Sequence, residues 1–515
     1  MNFVKHRRIN SITAGLLAAV ILALPLAGCG QTAAIREASS QTESSLVQNS
    51  SAASQINLPE SKTESSQQSS PSAGSETASK TEAASSAAKN LKKAEVMPQT
   101  SAKAQASGQT LKKISADATA DNGKQFSISK SLATAVKPAY TYVDQRDGYN
   151  FLSDLVSRAV YKQIFQSAYK VSATPNSDGY YPTQKIIVSG TQLSEAQLRV
   201  ILIAFLNDNP QIFWFANAYS YAYSNDSTYI QLYAVTSQAQ CTAMIQKLNQ
   251  KVSTAISAMP AGLSELDREL YLFHYIAQNC TYNNAAVTNT SIWQAFSAYG
   301  MLVDGTAVCE GYARAMQLLS SYSGLQCMLL SGQSSGENHM WNVIKIDGEW
   351  YHLDTTWGDS DTEVYNYFNL TDAVIAQTRT IFPSASTLTD DQIDGTTDGT
   401  AAECNLTVPS CMSTAANYFK AKGFKVSSNS DNSTVMAAFA SAIQSKSTSV
   451  SFYVDESADF DTVLTGMTTS TPYQILTCIS AVNSKQGTGS KIDLNNLKYL
   501  SDKADRGITV FLSYK

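Results

Sequence analysis

From Gly30 to Gln125 the chain contains no aromatic residue and consists almost wholly of Ser, Ala, Thr, Gln, Lys and Glu. Such a segment buries too little apolar surface to offset the entropy of ordering, so residues 29–125 are expected to form a disordered stalk. About 96 residues of this kind have an r.m.s. reach of about 50–60 Å. Aromatic residues begin at Phe126 and stay dense afterwards, which puts the start of the folded part there. The same segment explains why only 15% of the 515 residues are charged, against about 25% in soluble domains. Lys and Arg total 37 against 42 for Asp and Glu, a net charge of -5, so no nucleic-acid partner is expected. Four histidines leave little material for a multi-His metal site, and HExxH is absent, which excludes a zinc enzyme of that type. No cofactor is called for.

The N-terminus reads as an address. Lys5, His6, Arg7 and Arg8 precede an apolar run from Ala14 to Ala27, too short for a lasting membrane span and laid out as a signal peptide over residues 1–28. Leu26-Ala27-Gly28-Cys29 resembles the lipobox of bacterial lipoproteins, in which the cysteine becomes the lipidated N-terminus. Cleavage there would remove three cations and no anions, taking the net charge from -5 to -8. The expectation is a protein anchored to the extracytoplasmic face of the cell membrane through lipid on Cys29, with no spanning segment.

Three stretches follow the stalk. Residues 126–260 read as an N-terminal α+β subdomain. Ser194-Glu195-Ala196-Gln197 is a capping box opening a helix that carries Leu198, Ile201, Leu202 and Phe205 and ends near Asn209-Pro210. Tyr219, Tyr221 and Tyr223 alternate before Asn225-Asp226, with Tyr229 and Tyr233 beyond, as in a β-hairpin. That tyrosine ladder reads either as packing or as a glycan- or peptide-binding face. Helices are expected from Met244 to Ile256 and from Ser264 onward. Residues 400–515 mix helical and strand-like patterns, read as a small α/β domain without visible chemistry.

The chemistry concentrates in residues 261–385. Gly305-Thr306-Ala307-Val308 runs into a helical pattern that starts at Cys309, where free backbone N–H groups and the helix dipole favour a thiolate and can hold an oxyanion. Downstream, two strand-like runs flank Asp347-Gly348, the dipeptide suited to a two-residue hairpin turn. With that turn, Ile346 opposes Glu349 and Trp341 opposes Asp354. His339 and Asp354 then become diagonal neighbours on one face, within imidazole–carboxylate reach. A three-residue loop would put them on opposite faces. Cys309, His339 and Asp354 thus supply a nucleophile, a base and an orienter of the base.

Around these residues the segments GTAVCEGYARA, ENHMWNVIKIDGEWYHLDTTWGD and YLFHYIAQNCTYN resemble the transglutaminase-like superfamily, in the form found in many bacterial surface proteins and in kyphoscoliosis-peptidase-type proteins. The resemblance covers about Leu263 to Leu370. It implies an α+β fold with a papain-like core, and Cys309 as nucleophile, His339 as general base and acid, and Asp354 as orienter. The implied enzyme is a cysteine peptidase or a protein-glutamine acyltransferase acting on a protein or peptide at the cell surface or cell wall. Hydrolysis is preferred over crosslinking, because only Trp341 and Trp357 stand out as walls that would keep water from a thioester. A scaffold or adhesion module that keeps the fold without turnover is the competing reading.

The other residues have plainer expectations. His352 and His274 read as packing or supporting histidines, and Tyr282 as a possible oxyanion contributor. With Cys29 lipidated and Cys309 free, six cysteines remain, of which Cys404 and Cys411 are the pair nominated for a disulfide.

Overall fold

The structure is a computed structural model that describes residues 135–224, 227–359, 363–395, 401–487 and 489–515, together with the backbone of a short strand, β1 (Val20–Ala23). The stalk, the lipobox and Cys29 lie outside the described residues.

Two helices, α1 (Asp147–Phe151) and α2 (Leu155–Ala168), lead into the short strands β2 (Tyr181–Pro182) and β3 (Ile186–Val188). Helix α3 (Glu195–Asp208) starts at the expected capping box, with Ser194 accepting from the Gln197 amide and the Gln197 side chain accepting in return. Strands β4 (Phe215–Ser224) and β5 (Ser227–Ala234) form the tyrosine hairpin, closing with Ser224 opposite Ser227. β1 lies antiparallel along the far edge of β4. Tyr219, Tyr221 and Tyr233 are buried, so on these three the ladder is packing rather than an open binding face. Helix α4 (Gln238–Ser257) begins six residues before the expected Met244. A second capping box, Ser237 with Gln240, initiates it ahead of the apolar repeat. Helix α5 (Glu265–Asn279) is capped by Ser264 as expected.

The half that contains Cys309, His339 and Asp354 follows. β6 (Thr281–Tyr282) runs parallel to β7 (Thr306–Ala307), which hands directly to α6 (Cys309–Tyr322). Strands β8 (Gln326–Ser334), β9 (Glu337–Ile346), β10 (Glu349–Leu353), β11 (Phe368–Leu370) and β12 (Arg379–Ile381) build one antiparallel sheet in the order β11-β10-β9-β8-β12. Every residue of α6 is buried. One apolar core joins its inner residues Tyr312 and Leu319 to Phe273 and Ile276 of α5 and to Leu202 and Phe205 of α3. Arg314 and Gln317 of α6 donate to the Leu206 and Asn207 carbonyls at 2.9 and 2.8 Å. They satisfy groups that the end of α3 leaves without helical partners, so the N-terminal half braces the helix that carries Cys309.

The C-terminal part alternates β13 (Phe424–Val426), α7 (Asn432–Ser445), β14 (Ser449–Val454), α8 (Phe460–Thr468), α9 (Gln474–Asn483), β15 (Lys498–Asp502) and β16 (Gly507–Phe511). Its sheet has the order β13-β14-β16-β15, with β13 and β14 parallel across the α7 crossover. It has its own core around Phe439, Phe452 and Ile479. Leu500 and Phe511 also pack with Trp341, Trp357 and Tyr367, so this sheet supports the β8–β12 sheet from outside.

Candidate active site

Cys309 is the first residue of α6, preceded by Val308 in extended conformation with no side-chain cap. The first-turn N–H groups therefore keep their capacity for an anion. Gly311 permits this turn to press against its neighbours, since a Cβ there would meet the Ala295 carbonyl at 2.6 Å and the Ala307 Cβ at 2.7 Å. Around Cys309 lie Val287, Ala295, Ile292, Phe296 and Tyr282. The two tryptophans read from sequence belong to a separate cluster with Tyr367 and Leu370.

Two expectations about sulfur require correction. Cys309 is disulfide-bonded rather than free. The other six described cysteines are free thiols. A sulfur at a helix N-terminus is disposed to the thiolate, the form that enters disulfide exchange. The nominated Cys404–Cys411 pair does not form: both are free, and they belong to different cores, Cys404 to the one shared with the helices and Cys411 to the one beside the β8–β12 sheet.

The hairpin has the expected register. Asp347 and Gly348 both take positive φ (50° and 89°), and Glu349 opposes Ile346 through to Leu353 opposite Asn342. His339 Nε2 lies 2.7 Å from Asp354 Oδ2, with both side chains buried. This leaves Nδ1 as the ring nitrogen not directed at the carboxylate. Asp354 is also the cap of a one-turn helix, Thr355–Gly358, accepting from the Trp357 amide at 3.1 Å through Oδ1. Trp341 stacks on the His339 ring (5.8 Å, 19°) and Trp357 meets it edge-on (6.3 Å, 70°).

Sequence reasoning missed Arg379. Its Nη2 and Nε lie 2.5 and 3.2 Å from Asp354 Oδ2, the same oxygen that faces His339. Its guanidinium sits over the rings of Trp357 (4.4 Å) and Tyr367 (5.0 Å). Burial works to raise the Asp354 carboxyl, but His339 and Arg379 together overcome it and hold it well below the usual carboxylate range.

His352 is a buried partner of the site, as expected. Its Nδ1 accepts from Trp341 Nε1 at 3.1 Å, which puts the proton on Nε2, 2.9 Å from Asp372. Burial lowers its pKa, and Asp372 only partly opposes this. His352, Asp372 and Cys411 lie close enough to share an ion. However, the nitrogen nearest the other two donors carries a hydrogen, and Asp372 is already bonded to the Cys411 amide and Ser410. As bonded, the group is a hydrogen-bond cluster. His274 is half-buried and pairs with Glu363 rather than serving as plain packing. Tyr282 packs against the small cluster that includes Cys309, and its buried hydroxyl has no hydrogen-bond partner among the described residues.

Residues 253–355 match the sequence profile of the Transglutaminase-like superfamily. Kyphoscoliosis peptidase of Homo sapiens is 27% identical over 143 residues, 25% of this chain, and that of Mus musculus is 29% identical over 123 residues, 22% of this chain. The chain spans only 20% and 18% of the length of these relatives. Among solved structures, one described as a TGase aligns with TM-score 0.20 and 13% identity, covering 38% of this chain and 57% of that one. A putative cysteine protease from Cytophaga hutchinsonii aligns with TM-score 0.18 and 12% identity, covering 41% and 79%. The buried Cys, His and Asp of the geometry above fall within the matched residues, and residues 253–355 are a transglutaminase-like domain.

Proposed function

We infer that the reduced protein is a cysteine acyl-transfer enzyme acting on peptide or glutamine amides, held at the outer face of the membrane by lipid on Cys29, whose sulfur is then a thioether and takes no part in a disulfide. The buried His339–Asp354 pair, on the sheet that packs against the helix starting at Cys309, carries this reading. His339 Nδ1 takes the Cys309 proton, and the thiolate attacks the carbonyl carbon. The developing oxyanion is met by the first-turn N–H groups of α6 and by the Tyr282 hydroxyl. His339 then returns the proton to the leaving amine or ammonia, giving a thioester that water or a second amine resolves. Asp354 fixes the ring and its tautomer throughout.

The disulfide at Cys309 favours one alternative, a surface module without turnover. Labelling with a thiol-reactive probe, before and after mild reduction, separates the two. Acyl transfer predicts labelling at neutral pH after reduction that disappears in Cys309→Ala and weakens in His339→Ala. A reduced Cys309 no more reactive than a denatured-state cysteine would exclude the enzyme reading. Paired assays for new peptide termini and for incorporation of a fluorescent primary amine into a glutamine-containing protein identify the acceptor.

A further inference from the structure

We propose that Arg379 is a positioning residue of the His339–Asp354 pair, holding Asp354 in place and balancing its charge while the carboxylate orients the imidazole. This rests on the acyl-transfer reading for its role in turnover, and on geometry alone for its effect on His339.

Three donors converge on one oxygen. Asp354 Oδ2 faces His339 Nε2 at 2.7 Å and Arg379 Nη2 and Nε at 2.5 and 3.2 Å, while Oδ1 is occupied by the Trp357 amide. The Arg379 and Asp354 side chains are both 0% exposed, so water screens the charges little. A lone carboxylate in such surroundings would favour the imidazolium strongly, and a histidine kept as imidazolium cannot accept the thiol proton. The guanidinium at the same oxygen opposes that pull, while the hydrogen bond that sets the ring's orientation remains.

The cation is itself fixed. Its Nη1 bonds Thr378 Oγ1 at 2.7 Å, and its face lies against Trp357 and Tyr367. A lysine, with a single point charge, cannot reproduce both the fork and the stacking. Behind Trp341, which stacks on His339, lies His352 of β10, and the charged groups bonded to Asp354 are His339 and Arg379. Among these described groups only Arg379 brings a permanent positive charge to Asp354.

The test uses the full chain with Cys309→Ala and ring-labelled histidine, following the imidazole signals by NMR over pH, with the His339 signal assigned by its loss in His339→Asn. Arg379→Gln should move the His339 titration to higher pH, and Arg379→Lys should leave it near the wild-type curve. Coincident curves for wild type and a folded Arg379→Gln chain overturn the proposal. Should Arg379→Gln not fold, Arg379→Met combined with Asp354→Asn removes both charges. A His339 titration near wild type then supports the balance, and a displaced one overturns it. In the reduced enzyme Arg379→Lys should lower kcat by about 10- to 100-fold with KM little changed, and an unchanged kcat overturns the positioning role. The NMR measurement needs no turnover, so absence of Cys309 labelling would defeat the acyl-transfer reading while leaving the effect on His339 separately decided.

Discussion

Two histidine–carboxylate pairs stand on the same sheet with Trp341 between them. His339 faces Asp354 at 2.7 Å, and His352 faces Asp372 at 2.9 Å. Both imidazoles are buried. They differ in their second nitrogen: His352 Nδ1 accepts the Trp341 indole proton, whereas His339 directs only Nε2 at a protein carboxylate. They differ also in the acid, since Asp354 is sealed and ion-paired while the Asp372 side chain is 37% exposed. A carboxylate neighbour is therefore common to both histidines. The second nitrogen and the fixed charge behind the acid are what set them apart.

The comparison breaks most sharply at His339. In the reduced enzyme His339→Ala should lower turnover by about 10²–10⁴-fold, measured by peptide cleavage or amine incorporation. His352→Gln should cost less than about 10-fold, because His352 acts only by holding Trp341. Equal losses would put the two histidines in one role.

Asp354→Asn comes next. It should remove most of the turnover and destabilise the fold by about 3–5 kcal/mol, because Arg379 is left buried without its anion. Asp354 titrates below its unfolded value, so its contribution is fully present above about pH 4 and is lost as pH falls through the depressed folded value. Acid unfolding of Asp354→Asn should lose that dependence below pH 4, read by circular dichroism.

Gly332 sharpens the geometry. It opposes His339 on β8, and a Cβ there would meet the Thr380 carbonyl at 2.2 Å and the Trp341 ring at 2.8 Å. Gly332→Ala should cost about 1–3 kcal/mol and slow Cys309 labelling, because both β12 and Trp341 must shift. The smallest effect belongs to the pH dependence of His352. Its folded pKa is lowered, so the unfolded chain takes the proton first and stability declines as pH drops below about 6.5. His352→Gln should flatten that decline, measured by thermal unfolding between pH 5 and 7.

What the sequence made legible was local. Ser194, Asp347-Gly348 and the start of α6 act through neighbours a few residues away, and the hairpin register that joins His339 to Asp354 follows from one turn. The apolar repeat alone starts helix α4 at Met244, whereas the Ser237 cap starts it at Gln238. Helices α8 and α9 lie within a stretch read only as α/β. Arg379 was out of reach for another reason. It stands in Thr378-Arg379-Thr380, a three-residue run with no periodic signal, and its partner is 25 positions earlier. Only the addition of β12 to the outer edge of β8 brings them together. The sulfur assignments failed similarly, since which thiols meet is a property of distant packing.

That strand order has a consequence for how the protein comes into being. The chain lays down Cys309, the hairpin and Asp354 first, then turns through β11 at one border of the sheet and crosses to the opposite border before Arg379 arrives. Until β12 docks, Asp354 has no guanidinium, and closing the sheet over it would enclose an uncompensated anion. In chain order the group that balances Asp354 therefore comes last, and a nascent chain that already contains Cys309, His339 and Asp354 still lacks Arg379.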